Sequence, residues 1–181
     1  KYPDCKEVKI HTGQKLEFAG ITMQALHTHE DLVNATTGIS NYSGSSMNNT
    51  STVIKLTVNG MSVIILGDAY PSIENGMLSV YTAETLKSDV VQIAHHAYNG
   101  VSKALYDVID ADIVVIPCTY GQYAYKYIDV ESVDSKYPNL NPVLEAADAV
   151  YFMGRKEFTV GLAVVNGEIT VVYEPEARPT T

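Results

Sequence analysis

The stretch that most constrains this chain is Met61–Gly100, MSVIILGDAYPSIENGMLSVYTAETLKSDVVQIAHHAYNG. One apolar run, Met61 to Leu66, stops at Gly67-Asp68; a second, Val90 to Ala94, stops at His95-His96. Both runs are short, β-branched and without alternation, as in strands covered on both faces. Between them, Ser72 to Leu86 sets Ile73, Met77, Val80 and Tyr81 at spacings of three and four, which predicts a helix lying on the sheet. Strand, helix, strand predicts two parallel strands joined by a right-handed crossover, with their carboxyl ends on one rim. Open α/β sheets build their sites on that rim, and both runs deliver metal-ligand residue types to it.

A chain of 181 residues that is 46% hydrophobic can bury one sizeable core, so a single domain is expected over residues 1–181, with 174–181 as a disordered tail. The net charge of −9 argues against a general affinity for the nucleic-acid backbone, which requires a large basic footprint. Cys5 and Cys118 are too few and too far apart for a disulfide framework. No 18-residue apolar run exists to span a bilayer as a helix. The chain begins at Lys1 without an initiator methionine, so a processed product or a piece of something longer is expected.

From the amino end, an edge strand is expected around Glu7–Ile10, then a hairpin of Lys15–Phe18 and Ile21–Leu26 joined at Ala19-Gly20. The second of these runs into His27-Thr28-His29-Glu30-Asp31. Asn34 to Thr50 is rich in Asn, Ser, Thr and Gly and reads as a long surface loop. Thr52–Val58 and Met61–Leu66 flank Asn59-Gly60, a strong hairpin signal. Further on, a helix is expected over Ser102–Ile109, a buried strand over Asp112–Pro117, and a helix opened by Asn141-Pro142. Strands near Ala149–Met153, Thr159–Val165 and Glu168–Tyr173 complete a mixed sheet with outer helices, the α/β class with a β-meander.

Asp68 offers a hard anionic oxygen able to bridge two cations, and His95 or His96 a neutral imidazole; such a mixed oxygen and nitrogen set suits Zn, Mn or Fe. A metal so held brings the pKa of bound water towards neutrality and makes hydroxide available as nucleophile. Spacing alone equally fits Asp68 as a cap for the following helix and the histidine pair as part of a turn.

Asn48-Asn49-Thr50-Ser51-Thr52-Val53, the Asn-Gly hairpin, Ile65-Leu66-Gly67-Asp68-Ala69, a helix carrying Glu74, Asp89-Val90-Val91 and His95-His96-Ala97 follow one another in an order that resembles the second half of a metallo-β-lactamase-fold hydrolase. The likeness is to the branch that includes the hydrolase-like domain of the bacterial DNA-uptake protein ComEC, with its Asn-x-Ser-x-Val strand, Gly-Asp turn and His-His-Gly turn. It covers about Asn48 to Cys118 well and the terminal strands loosely. The resemblance implies the C-terminal half of an αββα sandwich and a metal-dependent hydrolase acting on a phosphodiester or another ester. It implies that Asp68 bridges one or two Zn-like ions and that His95 or His96 is a terminal ligand.

The chain also departs from that pattern. Ala97 stands where the family has glycine, a mild change if φ there is negative. No Gly-His-Pro follows Cys118, and the His-x-His-x-Asp-His that supplies most ligands of the first metal has only the lookalike His27-Thr28-His29-Glu30-Asp31-Leu32. That segment lies 37 residues before Asp68, counted from Asp31, too close for the family's intervening elements. His27 or His29 instead fits a ligand at the end of an intermediate strand, or a solvated loop histidine. The expectation is a fragment with an incomplete site, weak or no metal occupancy and no turnover of its own. A degenerate, non-catalytic binding or scaffold module of the same fold is the competing reading, with Tyr120, Tyr123, Tyr125 and Tyr127 as its contact surface. Those tyrosines read equally as an edge strand. Cys118 reads as core or soft ligand, and Lys87, Lys103 and Lys126 as solvent-facing or as a screen for an anionic substrate. A half-sandwich leaves an apolar face open, so self-association is expected.

Overall fold

The computed structural model describes residues 6–28, 44–98, 100–119, 121, 140–153 and 161–173. They form a seven-stranded sheet in sequential order: β1 (Lys15–Phe18), β2 (Ile21–His27), β3 (Val53–Val58), β4 (Met61–Ile65), β5 (Val90–Gln92), β6 (Ile113–Ile116) and β7 (Ala149–Phe152). A separate hairpin pairs β8 (Gly161–Val165) with β9 (Glu168–Tyr173). The first four strands are an antiparallel meander, and β4 to β7 are mutually parallel. The chain is α/β, a mixed sheet with helices outside it.

The change from antiparallel to parallel follows the connections. Asn59 and Gly60, at φ +49° and +88°, take the left-handed backbone that a two-residue hairpin needs, so β3 and β4 can only be antiparallel. After β4 the chain returns through helices α1 (Pro71–Val80) and α2 (Ala83–Leu86), after β5 through α3 (Lys103–Ile109), and into β7 through α4 (Asn141–Ala146). Each crossover sets the next strand parallel.

Strand register puts Ile64, Val91 and Val114 in one row across β4, β5 and β6. Against that row pack Ile73, Met77, Leu86, Leu105, Ile109 and Leu140, nearly all completely buried. At about 1.5–3 kcal/mol for each large apolar side chain withdrawn from water, this layer is the main source of stability. On the opposite face the register aligns Leu16, Met23, Leu56 and Val63, which stay half-buried.

Several expectations need correcting. Residues 6–11 form no strand: Val8 is exposed, and of the apolar pair Val8 and Ile10 only Ile10 is half-buried, too little to hold a strand against the sheet. The single helix expected over Ser72 to Leu86 is two. Tyr81 and Thr82 are extended, Tyr81 closes α1 through a bond from its amide to Met77 O, and the Thr82 hydroxyl caps α2. The described end of the expected Asn34–Thr50 loop is a 3-10 helical segment, Gly44–Thr50, in which Asn49 is buried.

Candidate functional site

The rim is built from backbone outward. β4 and β5 are adjacent and parallel with Ile65 opposite Gln92, so the Gly67-Asp68 turn and the His95-His96 turn leave the sheet side by side. His95 N–H donates to Gly67 O at 2.8 Å and ties one turn to the other. The first turn is further fixed by Gln92, whose side-chain Oε1 accepts from Leu66 N at 3.1 Å and Gly67 N at 2.9 Å, and by Ser51 Oγ, which accepts from Asp68 N at 3.2 Å.

The second turn is strained. His95, His96 and Ala97 stand at φ +49°, +54° and +56°, three consecutive non-glycine residues in left-handed conformation. That region costs an L-residue about 1–2 kcal/mol and persists only where the surroundings over-determine it. Here they do. Tyr98 N closes the turn on His95 O at 2.7 Å, and the Tyr106 hydroxyl accepts from Ala94 N at 3.0 Å. Gly100 lies so near Ala94 that a β-carbon on it would be 2.9 Å from the Ala94 β-carbon. Buried Glu74 on α1 accepts from Ser102 N at 2.7 Å and from the Ser102 hydroxyl, pinning the start of α3.

The two histidines are used differently. His96 Nδ1 lies 2.9 Å from Pro117 O, an acceptor only, so Nδ1 carries the proton. Its Nε2 points to Asp68, 3.6 Å from Oδ1, with both side chains open to solvent (58% and 42% exposed). That separation is too long for a hydrogen bond. It is close to the roughly 3.3 Å between two ligands that share a tetrahedral ion at zinc-type bond lengths. The His95 ring turns away: the Asn48 side-chain amide donates to His95 Nε2 at 3.2 Å, and Tyr70 and Tyr98 meet the ring edge-on at 5.3 and 5.6 Å between centroids. His95 Nδ1 is buried and has no hydrogen-bond partner among the described residues.

His27 ends β2, fully buried, with Nδ1 2.9 Å from Ser51 O, beneath the residue whose hydroxyl holds the Asp68 turn. His29, Cys5, Lys126, Tyr120, Tyr123, Tyr125, Tyr127 and residues 174–181 lie outside the described residues. Cys118 is buried beside the rim. Lys87 and Lys103 do not face the rim as free cations: they pair with Asp110 at 2.6 Å and with Asp107 at 2.5 Å. Asp68 is not the cap of α1 either, because Tyr70 holds that position. The φ of Ala97 is positive, so the negative φ on which alanine would replace glycine without strain is not met.

Asp68 and His96 thus suit a divalent ion in spacing and donor type, whereas the number of donors falls short. Among the described residues no three His, Cys, Asp or Glu side chains come together around one point, and a catalytic zinc takes three protein ligands. The sequence singled out the stretch holding Asn48 and Ser51 without giving either a role, and Gln92 and Tyr70 it passed over. Gln92 was detectable as the one polar residue within Val90–Ala94; the others depend on how the 44–52 segment folds back over the rim.

No protein-family model and no curated protein matches the chain. Among solved structures it is similar to a Thermotoga maritima protein named as a Zn-dependent hydrolase of the metallo-β-lactamase superfamily, with 10% identity and a TM-score of 0.40 over 79% of this chain and 70% of that one.

Proposed function

We propose that this chain is part of a metal-dependent hydrolase of the metallo-β-lactamase superfamily, of the ComEC-like branch, that cleaves a phosphodiester or another ester. One observation carries the reading: His96 Nε2, its Nδ1 held by Pro117 O, and an Asp68 carboxylate oxygen face each other 3.6 Å apart across two tied turns. An imidazole nitrogen and a carboxylate oxygen, both donor types that divalent ions take, are held together by strained backbone, and a cation shared between them would use both. The hydrogen bond from His96 Nδ1 to a backbone carbonyl is also the usual arrangement behind a ligating imidazole. Asp68 and His96 would hold Zn, Mn or Fe, with His29 or other residues beyond those described completing the set. A bound ion supplies positive charge that acidifies water and offsets charge on an ester oxygen. His95, engaged by Asn48, orients the turn. Asp68 and the solvent-open face of His96 bind and align; Gln92, Ser51 and Glu74 keep them in register.

Titration with Zn²⁺, Mn²⁺ and Fe²⁺ followed by metal analysis of the purified chain tests this. The expected result is weak, substoichiometric binding that Asp68→Ala and His96→Ala each weaken further, and more than His95→Phe does. The same chain joined to its upstream coding sequence should bind stoichiometrically and cleave a generic phosphodiester. A metal-free longer protein with no turnover would favour the non-catalytic module. Full activity from residues 1–181 alone would refute the incomplete site.

A further inference from the structure

We infer that Gln92 is the positioning residue of the metal-binding pair, acting through the Gly67-Asp68 turn without touching an ion itself; this rests on the reading of Asp68 and His96 as ligands. The ladder between β4 and β5 ends at Ile65 opposite Gln92, and the following amide, Ile93 N, bonds to Val115 O of β6 at 2.9 Å. Past that point the chain turns at Gly67, at φ +58°, and the consecutive amides of Leu66 and Gly67 both reach the Gln92 side chain. Leu66 is completely buried, and a buried amide left without an acceptor costs about 1–3 kcal/mol. The Gln92 carbonyl takes both, at 3.1 and 2.9 Å, while its amide nitrogen donates to Ile93 O.

The side chain thus extends the ladder by one step and fixes the plane from which Asp68 projects. The partner turn hangs from the same segment, since Gly67, whose N–H donates to Gln92, accepts from His95 N through its C=O. A single side chain sets one ligand directly and the register of the other through one bond. Leucine at position 92 matches the size and supplies no acceptor, so both amides would have to find water and the Asp68 carboxylate would leave the line to His96 Nε2.

The test combines a double-mutant cycle with amide exchange, on the full chain. Zn²⁺ affinity is measured by calorimetry for wild type, Gln92→Leu, Asp68→Asn and the double variant, with thermal unfolding of each. The expected result is a loss of about tenfold or more for Gln92→Leu, the size usual for groups behind metal ligands. That loss should vanish in the Asp68→Asn background while the melting temperature changes equally in both. A purely structural residue would weaken binding by the same factor in both backgrounds, and that additive outcome overturns the proposal. Hydrogen exchange of the Leu66 and Gly67 amides, read by NMR without metal, decides the case independently. Their protection should fall in Gln92→Leu and stay in Asp68→Asn; unchanged protection overturns it. If wild type takes no ion under any condition, the ligand reading fails while the exchange result still tells whether Gln92 holds the turn.

Discussion

Ala97 stands at φ +56° with its methyl group buried, and these two facts oppose each other. Glycine would release about 1–2 kcal/mol of left-handed strain while giving up about 0.8 kcal/mol for the buried methyl and about 0.5–1 kcal/mol in unfolded-chain entropy. The terms nearly cancel, which is why alanine is tolerated there. Ala97→Gly should shift stability by less than about 1 kcal/mol in urea unfolding, whereas Ala97→Val, branched in left-handed backbone and overpacked, should cost about 3 kcal/mol or more. Tyr81 gives a pH signature. Burial pushes its phenol above the ordinary value, and its hydroxyl donates to Leu26 O at 2.9 Å. The unfolded chain therefore releases this proton first, so the contribution of Tyr81 is complete below about pH 10 and is lost as pH rises through the folded value. Lys55 opposes this trend: burial lowers its pKa, so its contribution to stability rises with pH towards its unfolded value. The difference between wild type and Tyr81→Phe isolates the phenol: Tyr81→Phe should be less stable at neutral pH and should lose stability more gently above pH 10 than wild type. Parallel curves would count against the assignment.

At the scale of elements, turn chemistry decides register. Three hairpins use the same left-handed pair, Ala19-Gly20, Asn59-Gly60 and Asn166-Gly167. Only the first puts alanine, at φ +48° and exposed, where asparagine is favoured. Ala19→Asn should therefore raise stability by about 0.5–1 kcal/mol in chemical denaturation without moving the spectrum of the rim. The break between α1 and α2 has the opposite lesson. Apolar spacing from Ile73 to Tyr81 resembles one helix, yet the Tyr81 hydroxyl reaches Leu26 O and Thr82 caps a fresh helix. A capping threonine was legible in the sequence; the carbonyl that Tyr81 bonds, on a strand 55 residues away, was not.

For the whole molecule, the two faces of the large sheet differ. The face bearing Ile64, Val91 and Val114 is covered by helices, while the face bearing Leu16, Met23, Leu56 and Val63 is half-buried and Phe18 at its edge is 50% exposed. We propose that the chain on its own self-associates through this second face, where Phe18 and the half-buried row leave apolar surface for a second copy to cover. Sedimentation velocity should give a weight-average mass that rises with concentration and falls back towards 19.7 kDa in Phe18→Lys. A monomer at every concentration would exclude it.

Local chemistry is written in the sequence: β-branched runs, Asn-Gly turns, an apolar helical stripe, and Asp68 and His95-His96 at the ends of two strands that a crossover must make parallel. Those features depend on neighbours a few residues apart, and each settles its own segment. Tertiary structure alone decided which imidazole faces Asp68, because that depends on Pro117 O taking the His96 Nδ1 proton and Asn48 engaging His95, contacts across 21 and 47 residues. It alone also decided that Gln92 holds the acidic turn, since only parallel pairing brings that side chain to the amides of Leu66 and Gly67.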